Sequence, residues 1–149
     1  MEDHSYPYYR LAGMTVLSFI AMYILMYAMV DSYDSVFNNI NQVYMAGLMA
    51  SPMVLIELAF MGGMYPNKTP NKGLMAVSVI ALAGFFLLIR QQVAVTDTQF
   101  LRSMIPHHSG AILMCSKAPI RSAELKTLCQ GIIANQDAEI KQMKAMLAK

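Results

Sequence analysis

The sequence predicts an all-α membrane protein in which three transmembrane helices are followed by a C-terminal helical hairpin. Composition is the first reason: the 149-residue chain is 56% hydrophobic and 13% charged, against about 25% charged for an ordinary soluble domain. The second is distribution, because the apolar residues gather in three long runs before residue 90. The third is a change of character after those runs. Residues 1–89 hold three Lys/Arg against five Asp/Glu, whereas residues 90–149 hold eight against four. The chain therefore divides into a membrane domain, residues 1–92, and a hairpin domain, residues 93–149.

Leu11 to Val30 is a run of 20 residues without a charge, and at 1.5 Å per residue it covers roughly 30 Å, the thickness of a bilayer core. It is too long for the h-region of a secretory signal and ends in Ala28-Met29-Val30-Asp31-Ser32, so it is expected to remain uncleaved. The second span is Val43 to Met64, which contains Pro52 and Glu57, and the third is Gly73 to Ile89. Tyr6, Tyr8, Tyr9, Tyr33, Tyr44 and Tyr65 stand at or beside the ends of these runs, where an amphipathic ring suits the headgroup layer.

Arg10 flanks the first span, and Lys68 and Lys72 lie in the loop before the third, while residues 31–42 carry two acids and no Lys/Arg. Basic residues favour the cytoplasmic side. The expected location is the inner (cytoplasmic) membrane, with the N-terminus in the cytoplasm and the C-terminal domain outside it. Arg90, Arg102 and the basic C-terminal segment point the other way, although charges far from a helix end count for less.

Glu57 is the one strongly ionisable residue within a span, and facing lipid would cost it several kcal/mol. It is read either as part of a cation or proton pathway or as a carboxyl hydrogen-bonded to a neighbouring helix. Met22, Met26 and Met29 share one helix face, as do Met45, Met49 and Met53. Such stripes can line a route for Cu(I) or Ag(I), or can simply pack.

Beyond the spans, Asp97 is placed to cap a helix through Phe100, Met104, His107, His108, Ala111, Cys115 and Ala118. At 100° per residue these seven fall within an arc of about 100°. Pro106 either bends this helix or begins a new one. Ala118 to Ser122 reads as a turn, and Leu125, Cys129, Ile132, Gln136, Ile140, Met143 and Leu147 form the seam of a second helix. Folding back at about residue 120 sets Ile112 opposite Cys129 and His108 opposite Ile133. A hairpin of roughly 55 residues has little core of its own, so it is expected to form a homodimeric four-helix bundle or to pack on the membrane helices.

Met104, His107, His108, Met114 and Cys115, with Cys129 and Met143 on the facing helix, gather imidazole, thioether and thiol groups. Soft sulfur with nitrogen suits Cu(I) or Ag(I), with Zn(II) second. Met104 and His108 can share one ion across a helical turn, whereas His107 and His108 diverge by about 100°. Alternatively these residues pack, with Gln136 and Glu139 satisfying the imidazoles. Cys115 and Cys129 come within about one turn of each other, so outside the cytoplasm they can instead form a disulfide and cease to be ligands.

Phe100-Leu101, the run Met104-Ile105-Pro106-His107-His108-Ser109-Gly110-Ala111-Ile112 and Met114 resemble the family called domain of unknown function number 305. Ile132-Ile133, Gln136, Glu139-Ile140, Gln142-Met143 and Leu147 continue the likeness, which covers residues 97–148. The three-span leader, with Met-Tyr-Pro-Asn-Lys at residues 64–68, is similar to that of membrane-attached members. The resemblance implies a ferritin-like helical bundle, here a half-bundle completed by dimerisation, often found with copper-resistance proteins and thought to bind copper through the Met/His motif. Two features depart from the family: Met146 stands where an aromatic residue is usual, and one hairpin is present where some members carry two.

These residues predict a metal-binding protein for Cu(I) or Ag(I), held in the lipid bilayer, that sequesters the ion or passes it to a copper-export or chaperone partner. Met104, His107 and His108 lead the ligand set. No enzyme is expected: no Glu-x-x-His pair for a di-iron site occurs, nor a phosphate-binding loop or a Ser/His/Asp pattern. Nucleic acid is excluded as a partner by the lack of aromatics among the basic residues. Two rival functions are an assembly subunit whose bundle mediates oligomerisation, and a small cation or proton carrier centred on Glu57.

Overall fold

The computed structural model describes residues 6–149. Among them the protein is all-α, with no strand and five α-helices: α1 (Tyr6–Leu25), α2 (Ile40–Phe60), α3 (Lys68–Gln91), α4 (Asp97–Lys117) and α5 (Ala123–Leu147). The first three, with α1 prolonged by a 3-10 turn over Met26–Met29, are long and apolar enough to cross a membrane. Their borders differ from the hydropathy runs in an instructive way. α1 begins at Tyr6 and α3 at Lys68, because a helix continues through interfacial residues that a search for uncharged runs discards. α2 ends at Phe60, and the remaining apolar residues wind into a short turn at Gly62–Met64.

The chain divides into two compact units. One joins the stretch up to Leu25 with Asn41–Val93. Within it α2 is the central helix, since 39% of its apolar window is buried against 6% for each of the other two. Leu11, Val54, Leu58 and Tyr65 form a buried cluster, and Gly47 lets the ring of Phe85 lie directly on the α2 backbone. Buried Ser51 and Ser78 return their hydroxyls to the carbonyls of Gly47 and Leu74, which hides a polar group without a partner helix. The end of α3 is held by Gln92, a left-handed C-cap at φ 49° whose amide exchanges two hydrogen bonds with Asn41.

The other unit is the hairpin, α4 and α5, together with Met26–Ile40. That segment belongs by sequence to the membrane region, yet it packs on the hairpin. The Asp31 N–H donates to Ser109 Oγ at 2.8 Å, the Ile40 N–H donates to Gln99 Oε1 at 2.8 Å, and Lys144 Nζ meets Asp34 Oδ2 at 2.5 Å. Phe37 packs beside Leu101, Met104, Ile112 and Leu147 against a core of Ile105, Ile140 and Met143. Part of the apolar burial that a lone hairpin lacks is thus supplied from within the chain. Gly110 allows the contact, because a Cβ there would lie 3.3 Å from the Met29 carbonyl oxygen.

One local expectation changes. The cap of α4 is Thr96, whose hydroxyl accepts from the Gln99 N–H, and Asp97 is the first helical residue, where its charge still suits the helix N-terminus. Pro106 lies inside an unbroken α4. Ser122 caps α5 by accepting from the Leu125 N–H.

Candidate metal site

α4 and α5 run antiparallel, so residues a turn apart on one helix face residues a turn apart on the other. His108 on α4 is 8% exposed, and both ring nitrogens are engaged. Nδ1 lies 2.9 Å from the Met104 carbonyl oxygen one turn earlier, and Nε2 lies 2.6 Å from Glu139 Oε2 on α5. The ring is thus held between a backbone carbonyl on its own helix and a carboxylate on the facing one. Met143 stands one turn beyond Glu139 and is buried in the core against which Met104 packs. Two i,i+4 pairs, Met104 with His108 and Glu139 with Met143, therefore lie level across the hairpin.

The remaining sequence candidates lie elsewhere. His107 is exposed, and its ring centroid is 6.0 Å from that of His108 at an interplanar angle of 62°, the divergence that adjacent helix positions impose. Met114 is also exposed. Cys115 and Cys129 are joined as a disulfide, with Cα atoms 5.2 Å apart. A bonded pair of sulfurs presents no thiolate. Among the described residues no group of three or more His, Cys, Asp or Glu side chains is placed to hold an ion.

The register accounts for what the sequence missed. The turn is extended through Pro119, so the fold-back lies later than residue 120, and Cys129 faces Cys115 rather than Ile112, while His108 faces Glu139 rather than Ile133. Glu139, expected as a hydrogen-bond partner of an imidazole, is the partner of His108. Its spacing of four from Met143, mirroring Met104 and His108, was the available signal. Nearby, the Lys144 ammonium and the Ser32 hydroxyl, which hydrogen-bond to Asp34, hold its carboxyl below the usual carboxylate range.

The family model described as Domain of unknown function (DUF305) matches residues 75–147, from within α3 to the end of α5. An uncharacterised protein of Acanthamoeba polyphaga mimivirus is 30% identical over 137 residues, covering 90% of this chain and 88% of that relative. The chain belongs to the DUF305 family. The likeness to the viral relative runs through the membrane region as well as the hairpin, and within the DUF305 match lie His108, Glu139, Met104 and Met143. No solved structure matches this DUF305 chain.

Proposed function

We propose that this DUF305 protein is a membrane-anchored binder of a soft metal ion, Cu(I) or Ag(I), and that it stores the ion or hands it on rather than catalysing a reaction. The observation that carries the reading is His108, whose Nδ1 is fixed by a backbone carbonyl while Nε2 points across the hairpin. A metal-binding histidine is oriented in this way, its second nitrogen tied to a carbonyl. The ion takes Nε2 together with the thioethers of Met104 and Met143, a soft ligand set that favours Cu(I) or Ag(I) over Zn(II). Glu139 is displaced from Nε2 as the ion enters, and exposed His107 and Met114 are the approach.

The same reading places the three spans in the inner membrane with the hairpin outside the cytoplasm. Lys68, Lys72 and Arg10 support the orientation, and so does the Cys115–Cys129 disulfide, since disulfides persist in oxidising compartments. Three crossings put the segment after the first span and the chain after the third on one side, which agrees with their forming one unit. A copper exporter or chaperone is the partner class that this role requires.

Titration of the detergent-purified full chain with Cu(I) against a competing chelator tests the proposal. Stoichiometric binding lost in His108→Ala, weakened in Met104→Leu and Met143→Leu, and not weakened in Glu139→Ala is the expected pattern. Binding unchanged in His108→Ala refutes the site. A second reading, assembly through a homodimer, is favoured by exposed Leu125 and Leu128 on α5, and it predicts an oligomeric state indifferent to metal and chelator.

A further inference from the structure

A cavity of about 810 Å³ lies in the membrane unit between α1 and the end of α2. Its two charged groups are Arg10 and Glu57. Arg10 stands four residues into α1, Glu57 stands three residues before the end of α2, and both line the cavity with Tyr65. The Tyr65 hydroxyl donates to Glu57 Oε1 at 3.1 Å. Burial first, and then Glu57, hold the Tyr65 phenol above its ordinary range, while the positive charge of Arg10 acts against them, so all three groups share one neighbourhood. Among the described residues Arg10 and Glu57 form no ion pair with each other or with any third group, and the guanidinium lies over the Tyr6 ring at 5.7 Å. From Arg10 the wall runs down α1 through Met14, Leu17 and Ser18 to Ala21, about 16 Å of mostly apolar surface at 1.5 Å per residue.

One positive and one negative group lining the same cavity as a long, mostly apolar wall match one kind of molecule. We propose that this cavity holds a phospholipid with a zwitterionic headgroup, its phosphate on Arg10, its ammonium on Glu57 and an acyl chain along α1. Arg binds phosphate oxygens through its planar fork, and a primary ammonium donates hydrogen bonds to a carboxylate. An anionic lipid with a glycerol headgroup satisfies Arg10 but brings no ammonium to Glu57, whose carboxylate is left without its charge partner. Selectivity for the zwitterion over the anion therefore resides in Glu57, and retention of either resides in Arg10. The site is separate from the hairpin and does not depend on metal binding.

The test uses the full chain reconstituted in vesicles of phosphatidylethanolamine and phosphatidylglycerol in equal amounts, extracted in mild detergent, with bound lipid quantified by mass spectrometry. Wild type is expected to retain phosphatidylethanolamine over phosphatidylglycerol by about tenfold, since the charge-assisted hydrogen bond from the ammonium to Glu57 has no counterpart in the neutral glycerol headgroup. Glu57→Gln should bring that ratio to about one while still holding lipid, and Arg10→Gln should lose both lipids. Circular dichroism of each variant checks that the helices remain. Equal retention of the two lipids by wild type overturns the proposal, as does enrichment that survives Glu57→Gln or lipid retention unchanged in Arg10→Gln.

Discussion

Reducing the Cys115–Cys129 disulfide should loosen the hairpin by a calculable amount without touching the residues proposed to bind metal. The cysteines are 14 residues apart, and closing a loop of about 15 residues removes roughly 3 kcal/mol of chain entropy from the unfolded state. Cys115 sits near the end of α4 and Cys129 two turns into α5, so the bridge clamps the hairpin next to its turn. Where amide exchange proceeds through opening of the hairpin, a loss of roughly 3 kcal/mol accelerates it about a hundredfold. The assay is hydrogen exchange read by mass spectrometry on the full chain in detergent, free of metal, with and without a thiol reductant. Peptides from α4 and α5 should gain exchange, while those from α2 and α3 should not. A Cys115→Ser, Cys129→Ser variant should behave as the reduced protein does and ignore the reductant. If α4 and α5 exchange at the same rate in both states, the disulfide does not clamp the hairpin and the reasoning fails.

Three further outcomes follow from single contacts. Asp34 has its carboxyl lowered by Lys144 and Ser32; the stability it contributes is therefore present above the ordinary carboxylate value of about 3.9 and is lost as pH falls through its lowered value. Protection in residues 31–36, measured as exchange relative to the intrinsic amide rate at each pH, should accordingly fall as the solution is acidified from pH 6 to pH 3, and the step should disappear in Lys144→Met. Gly47→Ala would set a Cβ 2.4 Å from the Phe85 ring, an overpacking that costs about 1–3 kcal/mol and should lower the melting temperature of the detergent-solubilised protein. Adding Phe85→Ala should recover part of that loss, and failure to do so would show that the two residues are not coupled. Thr96→Ala removes the hydroxyl that accepts from the Gln99 N–H, which should cost about 1 kcal/mol and speed exchange in the first turn of α4 with little effect on α5.

The elements of the fold were legible because each is announced by a local signal. Three apolar runs gave three helices, and the periodicity of Leu125 through Leu147 gave α5. The borders moved where hydropathy stops being the relevant quantity. Tyr6 to Arg10 and Lys68 to Lys72 are polar or aromatic, yet helix formation asks only for backbone hydrogen bonding and tolerable propensity. The register of the hairpin was less legible, because it depends on the length of an extended turn that apolar spacing does not encode. A shift of a few residues exchanged Ile133 for Glu139 opposite His108, and with it an apolar neighbour for a carboxylate. Least legible was the packing of residues 26–40 on the hairpin, since Asp31 with Ser109 and Asp34 with Lys144 are separated by 78 and 110 positions.

That packing bears on how the hairpin could hold an ion. Ser109, which receives the Asp31 N–H, directly follows His108, and Lys144, which binds Asp34, directly follows Met143. The 15-residue segment Met26–Ile40 is thus tied to both helices, once beside each half of the candidate ligand set. Two helices joined only by a turn can splay at their open end, and Met104 and Met143 lie toward that end. The disulfide near the turn and the segment at the open end resist splaying from opposite directions. Met104 and Met143 pack in the core, so an ion entering there displaces apolar contacts rather than water and must repay them in bonds to sulfur and nitrogen. A soft ion does so with thioethers, whereas a hard ion would leave the sulfurs weakly used and Glu139 as the best oxygen within reach. The burial that makes the methionines unremarkable as packing residues is therefore also what would make the site selective.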